Sequence, residues 1–250
     1  MCGITGFFKP SSLAPIEADH LIKKMTDSLV HRGPDASNVY FTPESNLYLG
    51  HRRLAILDTS DNGLQPMQSR SGNLTIAFNG EIYNHIALRA ELAKEMNPLV
   101  WRSSSDTETL LAAFEFWGIE NTLPKLRGMF SIALWDNIAK KFYLIRDRFG
   151  EKPLYYGWVG EGENLTFSFA SELKALTKIP YFSNTLSKEA LVQYFTYMYV
   201  PCPLSIYDGI FKLEPGCILK ISSQPPTKSI PIIPHSISNE ILQYQSLSIS

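Results

Sequence analysis

Short apolar runs rich in aromatic and β-branched residues dominate the first 170 positions of the chain. Runs of this length and composition predict β-strands. They cover residues 4–8, 38–42, 47–57, 74–79, 130–135, 141–146, 154–159 and 165–170. Apolar residues at helical spacing are fewer and stand in four groups: Ile22, Met25 and Leu29; Ile86, Leu88 and Leu92; Leu110, Leu111, Phe114 and Trp117; Leu191, Tyr194, Phe195 and Met198. Consecutive strands with helices grouped between them predict an α+β fold with largely antiparallel sheets.

The composition is that of an ordinary globular protein. The 250 residues are 44% hydrophobic, and 23 Lys plus Arg against 24 Asp plus Glu leave a formal net charge of −1. This balance argues against nucleic-acid binding, and no apolar stretch has the length of a membrane span or a signal peptide. Three cysteines without a CxxC pair indicate a reducing compartment. We therefore expect a cytoplasmic protein without nucleic-acid or membrane partners.

The end of the chain has a different character. Residues 222–250 hold four prolines among serine and isoleucine, with few charges. This composition predicts a linker or a disordered tail, and a docking segment for a partner is the alternative.

Cys2 is the first candidate for chemistry. Removal of Met1 would leave a thiol and a free α-amine on one residue. An α-amine has a pKa of about 7.7–8.0, so near neutral pH it can take the proton of a thiol nucleophile. By itself the position has a plainer interpretation, because a free cysteine is usually a small hydrophobic residue.

Asn79 and Gly80 directly follow the predicted strand at residues 74–79. An Asn-Gly pair is typical of a type I′ hairpin turn, which is the structural interpretation. The functional interpretation is an oxyanion hole, in which the Asn79 amide and the Gly80 N–H donate to a developing negative charge.

Polar residues near two other elements also have two interpretations. Ser105 and Glu108 form a capping box at a predicted helix start, and Asp106 favours the same N-terminus. Arg52 and Arg53 alternate along a strand, so only one can point into a given pocket, where it would suit a carboxylate. Histidines and cysteines have no metal-ligand spacing, so no metal site is expected.

Seven motifs occur in a fixed order, and together they are far more specific than any one alone. They are MCGITGFF, HRGPD, HRRLAILD, FNGEIYNH, SDTE, RGMFSIALWD and RDRFGEKPLYY, and FASELKAL and IYDGIFKLEPG continue the series. In these motifs the chain resembles the glutaminase half of glutamine-hydrolysing asparagine synthetases, which are class II amidotransferases. The resemblance implies a four-layer αββα sandwich of the N-terminal-nucleophile hydrolase type over residues 2–221.

The resemblance also implies roles for individual residues. Cys2 would attack the side-chain amide of L-glutamine, and Asn79 and Gly80 would stabilise the tetrahedral intermediate. Substrate contacts would come from Arg53, Leu54, Ala55, Ile56, Leu57, Asn79, Gly80, Glu81 and Asp106. In this set Arg53 would hold the α-carboxylate, and Glu81 and Asp106 the α-ammonium.

The family's second half carries an SGGxDS pyrophosphate loop, and this string does not occur here. No cofactor is therefore expected in this chain, and ATP and Mg²⁺ are expected only in an ATP-binding synthetase domain or subunit supplied elsewhere. The main hypothesis is a glutaminase domain that feeds asparagine synthesis. The alternatives are an inactive or binding-only remnant and an amidotransferase for another acceptor, such as a surface-polysaccharide sugar. A homodimer is possible.

Overall fold

The computed structural model describes residues 1–43, 45–95, 100–222 and 241–243. Its strands form two antiparallel sheets of six. In spatial order, the first sheet contains β10 (Ile210–Lys212), β8 (Tyr155–Val159), β9 (Thr166–Ala170), β1 (Gly3–Phe8), β3 (Leu47–Arg53) and β2 (Ala36–Thr42). The second sheet contains β12 (Ile241–Gln243), β11 (Cys217–Ser222), β7 (Lys141–Arg146), β6 (Gly128–Asp136), β5 (Leu74–Ile82) and β4 (Met67–Gln68).

Helices cover the outer face of each sheet. On the first sheet these are α1 (Pro15–Asp27) and α5 (Leu173–Leu176). The second sheet is covered by α2 (His85–Glu95), α3 (Asp106–Trp117) and α4 (Ile119–Thr122), and α6 (Lys188–Tyr197) follows later in the chain. Three buried apolar clusters separate the four layers, one between the sheets and one under each helical layer. The predicted α+β, four-layer αββα sandwich is confirmed.

Strand alternation explains where the core between the sheets ends. On β3, Leu47 and Leu49 belong to this core, and the same face continues with His51 and Arg53. On β1, Ile4 belongs to it, and Cys2 precedes Ile4 by two positions. The layer between the sheets therefore changes from apolar to polar at one end of the sandwich.

The structure corrects the turn interpretation of Asn79 and Gly80. Both residues lie inside β5 and pair with Ser131 and Phe130 of β6. A nine-residue partner strand outweighs the local turn preference. Glycine is needed at position 80 because an added Cβ would lie 2.2 Å from the Met129 carbonyl oxygen.

The strand predicted for residues 47–57 ends at Arg53. Beyond it, side chains take the backbone N–H groups: Leu54 N–H donates to Cys2 Sγ and Ala55 N–H donates to Asp35 Oδ2. The Leu54 to Leu57 segment is therefore a loop beside Cys2.

β11 ends at Ser222, the first residue of the predicted linker or tail. Within the predicted linker or tail, Ile241–Gln243 pairs with β11, with Leu242 opposite Ile218. The other residues of that segment lie outside the described part of the chain.

Asp147, in the RDRFGEKPLYY motif, organises the loop after β7. Its carboxylate is fully buried and accepts four backbone N–H groups, from Phe130 at 3.2 Å and from Phe149, Glu151 and Lys152 at 3.0 Å. This motif therefore has a structural role in holding β6 and the loop together.

We expect Asp147→Asn to lower the free energy of unfolding by about 2–4 kcal/mol, because the new NH₂ group faces backbone donors that lose their acceptor. Urea denaturation measures the change. Asp19→Asn, at an exposed position on α1, is the control and should stay within about 0.5 kcal/mol of the parent chain. A loss below about 1 kcal/mol for Asp147→Asn would contradict the role assigned to this carboxylate.

Candidate active site around Cys2

A small pocket lies at the polar end of the layer between the sheets. Its volume is about 50 Å³. Seven of the predicted site residues line it: Cys2, Arg53, Leu54, Ile56, Leu57, Gly80 and Asp106. The rest of the lining comes from Asp58, Gly63, Gln65, Phe78, Ser105 and Thr107. Three predicted residues are outside this lining: Ala55, Asn79 and Glu81. A larger cavity of about 370 Å³ is lined by Trp158, Glu161, Tyr181 and Asp208, and none of the described residues in its wall is a cysteine, lysine or arginine.

The Cys2 thiol lies against the backbone of Leu54. Its Sγ accepts the Leu54 N–H at 3.4 Å and stands 3.7 Å from the Leu54 carbonyl oxygen. Burial raises the pKa of the thiol, and the nearby Asp106 carboxylate acts in the same direction. The Leu54 hydrogen bond, the N-terminal amine of Met1 and Arg53 act against this shift. At neutral pH the thiol is therefore protonated and needs a base before it can attack.

Arg32 holds the backbone of Cys2, a contact that the sequence did not reveal. Its Nε donates to the Cys2 carbonyl oxygen at 2.8 Å, and its Nη1 donates to Glu172 Oε1 at 2.9 Å. His31 lies 2.9 Å from the same carboxylate oxygen. The only signal was indirect, since Arg32 stands in HRGPD and Glu172 in FASELKAL, two motifs that carried the resemblance without an assigned role.

Arg53 is the arginine that faces the pocket, and Arg52 faces α1. The Arg53 guanidinium is almost fully buried and donates to the carbonyl oxygens of Asp58 and Ser60, at 2.8 Å for Ser60. Arg52 Nη2 lies 4.0 Å from Asp27 Oδ1 on α1. The alternation predicted from the sequence is confirmed.

Two carboxylates, Asp106 and Glu81, are close enough to interact. Asp106 Oδ2 accepts the Ile82 N–H at 2.8 Å, and burial raises the pKa of Asp106. Burial and the charge of Asp106 raise the pKa of Glu81, while His85 and Lys152 lower it. Two partly desolvated carboxylates that lie close to each other favour a cationic group between them.

The capping box at the start of α3 is only half formed. Ser105 Oγ accepts the Glu108 N–H at 3.3 Å, as predicted. The Glu108 carboxylate, however, binds the N–H groups of Arg102 and Ser103. The helix start is thus fixed with Asp106 at its first position, where its carboxylate reaches β5.

One edge of β5 presents backbone groups to the pocket. The Phe78 N–H donates to Gln65 Oε1 at 2.7 Å, and the Ile82 N–H donates to Asp106. Backbone groups two residues apart on a strand point to the same side, so the Gly80 N–H between them points to this edge as well. Gly80 lines the pocket together with Cys2.

The Asn79 side chain lies on the face of β5 that also carries Ala77 toward the other sheet. The side chain is 1% exposed, and its Nδ2 lies 3.5 Å from Ser131 Oγ. Within the described part of the chain, its Oδ1 has no hydrogen-bond partner. The amide is thus buried at the polar end of the layer between the sheets.

Two further features concern other kinds of site. In the described residues, no group of three or more His, Cys, Asp and Glu side chains is arranged to hold a metal ion. No helix in the same part of the chain is long and apolar enough to cross a membrane.

Comparison with known proteins defines the class. A family model described as a glutamine amidotransferase domain matches residues 1–229, so the chain belongs to this family. Over 217 residues it is 41% identical to asparagine synthetase (glutamine-hydrolyzing) 1 of Bacillus subtilis, covering 86% of this chain and 33% of that protein. Asparagine synthetase (glutamine-hydrolyzing) 3 of the same organism is 35% identical over 227 residues, covering 89% of this chain and 35% of that protein.

The chain thus spans about a third of the length of these curated relatives. Among solved structures, the glutamine phosphoribosylpyrophosphate amidotransferase of B. subtilis superposes with a TM-score of 0.67 at 18% identity, covering 98% of this chain and 50% of that chain. At this identity the likeness shows the fold, and it agrees with the predicted fold class.

We expect alkylation of Cys2 by iodoacetamide, in the chain that retains Met1, to accelerate about tenfold per pH unit between pH 6 and 8. A raised thiol pKa leaves fewer than about three thiols in a hundred ionised at pH 7, and the thiolate is the reacting form. Peptide mass spectrometry resolves Cys2 from Cys217, which is 1% exposed and whose pKa burial raises to about 11. A Cys2 rate that does not change between pH 6 and 8 would show an ionised thiol and contradict this expectation.

Proposed function

We propose that this domain hydrolyses L-glutamine to L-glutamate and ammonia, with Cys2 as the nucleophile. The observation that carries the proposal is the position of the Cys2 thiol in a pocket that also holds Arg53, Asp106 and the Gly80 edge of β5. Family membership supports the same reaction class.

The N-terminal amine supplies the base in this proposal. Once Met1 is removed, the α-amine of Cys2, with an ordinary pKa of about 7.7–8.0, accepts the thiol proton. The sulfur then bonds to the amide carbon of glutamine, the C–N bond breaks, and ammonia leaves with the transferred proton. Water hydrolyses the resulting γ-glutamyl thioester to glutamate and restores the thiol. In the chain that retains Met1, burial raises the pKa of the Cys2 thiol, so the thiol does not ionise by itself at neutral pH; this supports assigning its proton to the amine.

Substrate recognition uses opposite charges at two ends. Arg53 binds the α-carboxylate, with Leu54, Ala55, Ile56 and Leu57 alongside, and Asp106 and Glu81 bind the α-ammonium. A site built for both charges rejects analogues that lack either, since a buried charged group would be left unpaired. The Gly80 N–H and the Asn79 amide donate to the oxyanion, a contribution of about 3–4 kcal/mol per donor.

We expect the loop after β3 to move when glutamine binds, because the Arg53 guanidinium that would hold the α-carboxylate already donates to the Asp58 and Ser60 carbonyl oxygens of this loop. Ile56 is 65% exposed and Leu57 41% exposed, so little packing opposes the motion of this loop. Arg53 would then exchange its Asp58 and Ser60 carbonyl partners for the substrate carboxylate.

We further propose that the ammonia serves ATP-dependent asparagine synthesis from aspartate. The two relatives compared above bear the name asparagine synthetase, and each is about three times as long as the matched segment. An ATP-binding synthetase domain or subunit would hold ATP and Mg²⁺ and activate the acceptor. A binding-only role is disfavoured because a nucleophile, a cation and the Asp106 carboxylate line one pocket. A sugar acceptor, a homodimer and a cytoplasmic location stay predictions.

Cys2→Ala should abolish glutamate release, with at least a thousandfold loss, because no other group forms the thioester. A coupled glutamate assay on protein with Met1 removed measures it. Cys202→Ser is the matched control, since Cys202 does not line the Cys2 pocket and its Sγ lies against the Lys212 and Leu213 carbonyl oxygens and Arg146, and its rate should stay within twofold. Turnover by Cys2→Ala at the parental rate would exclude this mechanism.

An uncleavable extension before Cys2 should also remove activity while the fold survives. The extension turns the α-amine into an amide, which is not basic near neutral pH. Glutamate release and circular dichroism on extended and processed chains test this prediction. Equal turnover by the two forms would show that another group acts as the base.

A further inference from the structure

His51 is a buried titratable residue to which neither the family resemblance nor the proposed mechanism gives a role. It lies on β3, two residues before Arg53, on the face that points toward the other sheet. The side chain is 1% exposed. Its Nε2 lies 3.0 Å from the carbonyl oxygen of Phe78 on β5. This hydrogen bond therefore joins one sheet to the other, next to the Cys2 pocket.

The Phe78 carbonyl needs such a partner because strand pairing stops short of it. β4 pairs with β5 at Thr75 and Ile76 and, within the described residues, reaches no further. Beyond Ile76, side chains bind the backbone groups on this edge of β5 instead. Gln65 accepts the Phe78 N–H at 2.7 Å, and His51 donates to the Phe78 carbonyl oxygen. The next backbone N–H group on this edge of β5 is that of Gly80.

The imidazole is suited to this task. Burial lowers the pKa of His51 to about 4, and Arg53 acts in the same direction, while the bond to Phe78 opposes it. At pH 7 the ring is neutral, and donation to a carbonyl oxygen requires the Nε2–H tautomer. The bond thus needs no compensating charge in the layer between the sheets.

We infer that His51 is a positioning residue, whose hydrogen bond to the Phe78 carbonyl sets the placement of the Asn79 and Gly80 donors relative to the Cys2 thiol. The Cys2 thiol is held by the residue that directly follows β3, the strand that carries His51: its Sγ accepts the Leu54 N–H. His51 therefore links the element that holds the nucleophile to the strand that carries the oxyanion donors. This inference rests on the proposed glutaminase function.

A pair of polar variants tests the inference. In His51→Gln the side-chain N–H reaches about as far as Nε2 and can still donate to Phe78, whereas in His51→Asn it is too short. We expect His51→Asn to lower kcat for glutamate release by about 10- to 100-fold, because a displacement of about 1 Å at an oxyanion donor costs that much. KM should change less than threefold, since the groups that bind both ends of glutamine remain. His51→Gln should keep kcat within threefold.

Leu49→Ala is the control for a general loss of packing. Leu49 is a fully buried neighbour on the same face of β3 and makes no polar contact with β5. It should lower the melting temperature while kcat stays within threefold. The inference is overturned if His51→Asn keeps its kcat, or if Leu49→Ala loses as much kcat as His51→Asn. If His51→Asn does not fold, His51→Gln decides: a kcat loss of tenfold or more in the folded variant overturns it.

Amide hydrogen exchange gives a readout that does not depend on turnover. In His51→Asn the amides between Phe78 and Ile82 should exchange at least tenfold faster relative to the rest of β5, and in Leu49→Ala this ratio should match the parent chain. Unchanged exchange in folded His51→Asn overturns the inference. Should the parent chain show no glutaminase activity, the proposed function fails, and this measurement still decides whether His51 orders the strand.

Discussion

The two sheets of this domain pack face to face, and strand alternation then decides what each inward side chain meets. Leu47, Leu49 and Ala77 meet other apolar groups and form the core between the sheets. Further along the same inward faces, β3 presents Arg53 and β5 presents Asn79. Because successive inward positions are fixed by the backbone repeat, the end of the apolar core and the position of the polar pocket are set together.

Burial also controls the chemistry of this pocket. It raises the pKa of the Cys2 thiol and of both carboxylates, so the free site disfavours its own negative charges. A substrate that brings an ammonium to the carboxylates and a carboxylate to Arg53 relieves part of this penalty. The thiol gains no such partner from the substrate, which is why the proposed mechanism assigns its proton to the N-terminal amine.

Much of this arrangement follows from local patterns, and the failures have identifiable causes. The period of two along β3 correctly separates Arg52 from Arg53, because a strand cannot place neighbours on one face. The Asn79-Gly80 pair misleads as a turn signal, because nine residues of β6 pair across it and outweigh a two-residue preference. The Ser105 cap forms as expected, while the Glu108 carboxylate accepts backbone N–H groups of the preceding loop.

The sequence by itself determined the strand-rich α+β class, the alternation of inward and outward residues, and the identity of the nucleophile candidate, since these depend on residue type and short-range spacing. Only the tertiary structure decided that Arg32 donates a hydrogen bond to the Cys2 carbonyl oxygen and that His51 donates one to the Phe78 carbonyl oxygen of the other sheet. Both contacts join segments of the chain that no local period relates. They form because packing brings the two sheets and their loops within hydrogen-bond distance, and burial then requires each polar group to find a partner.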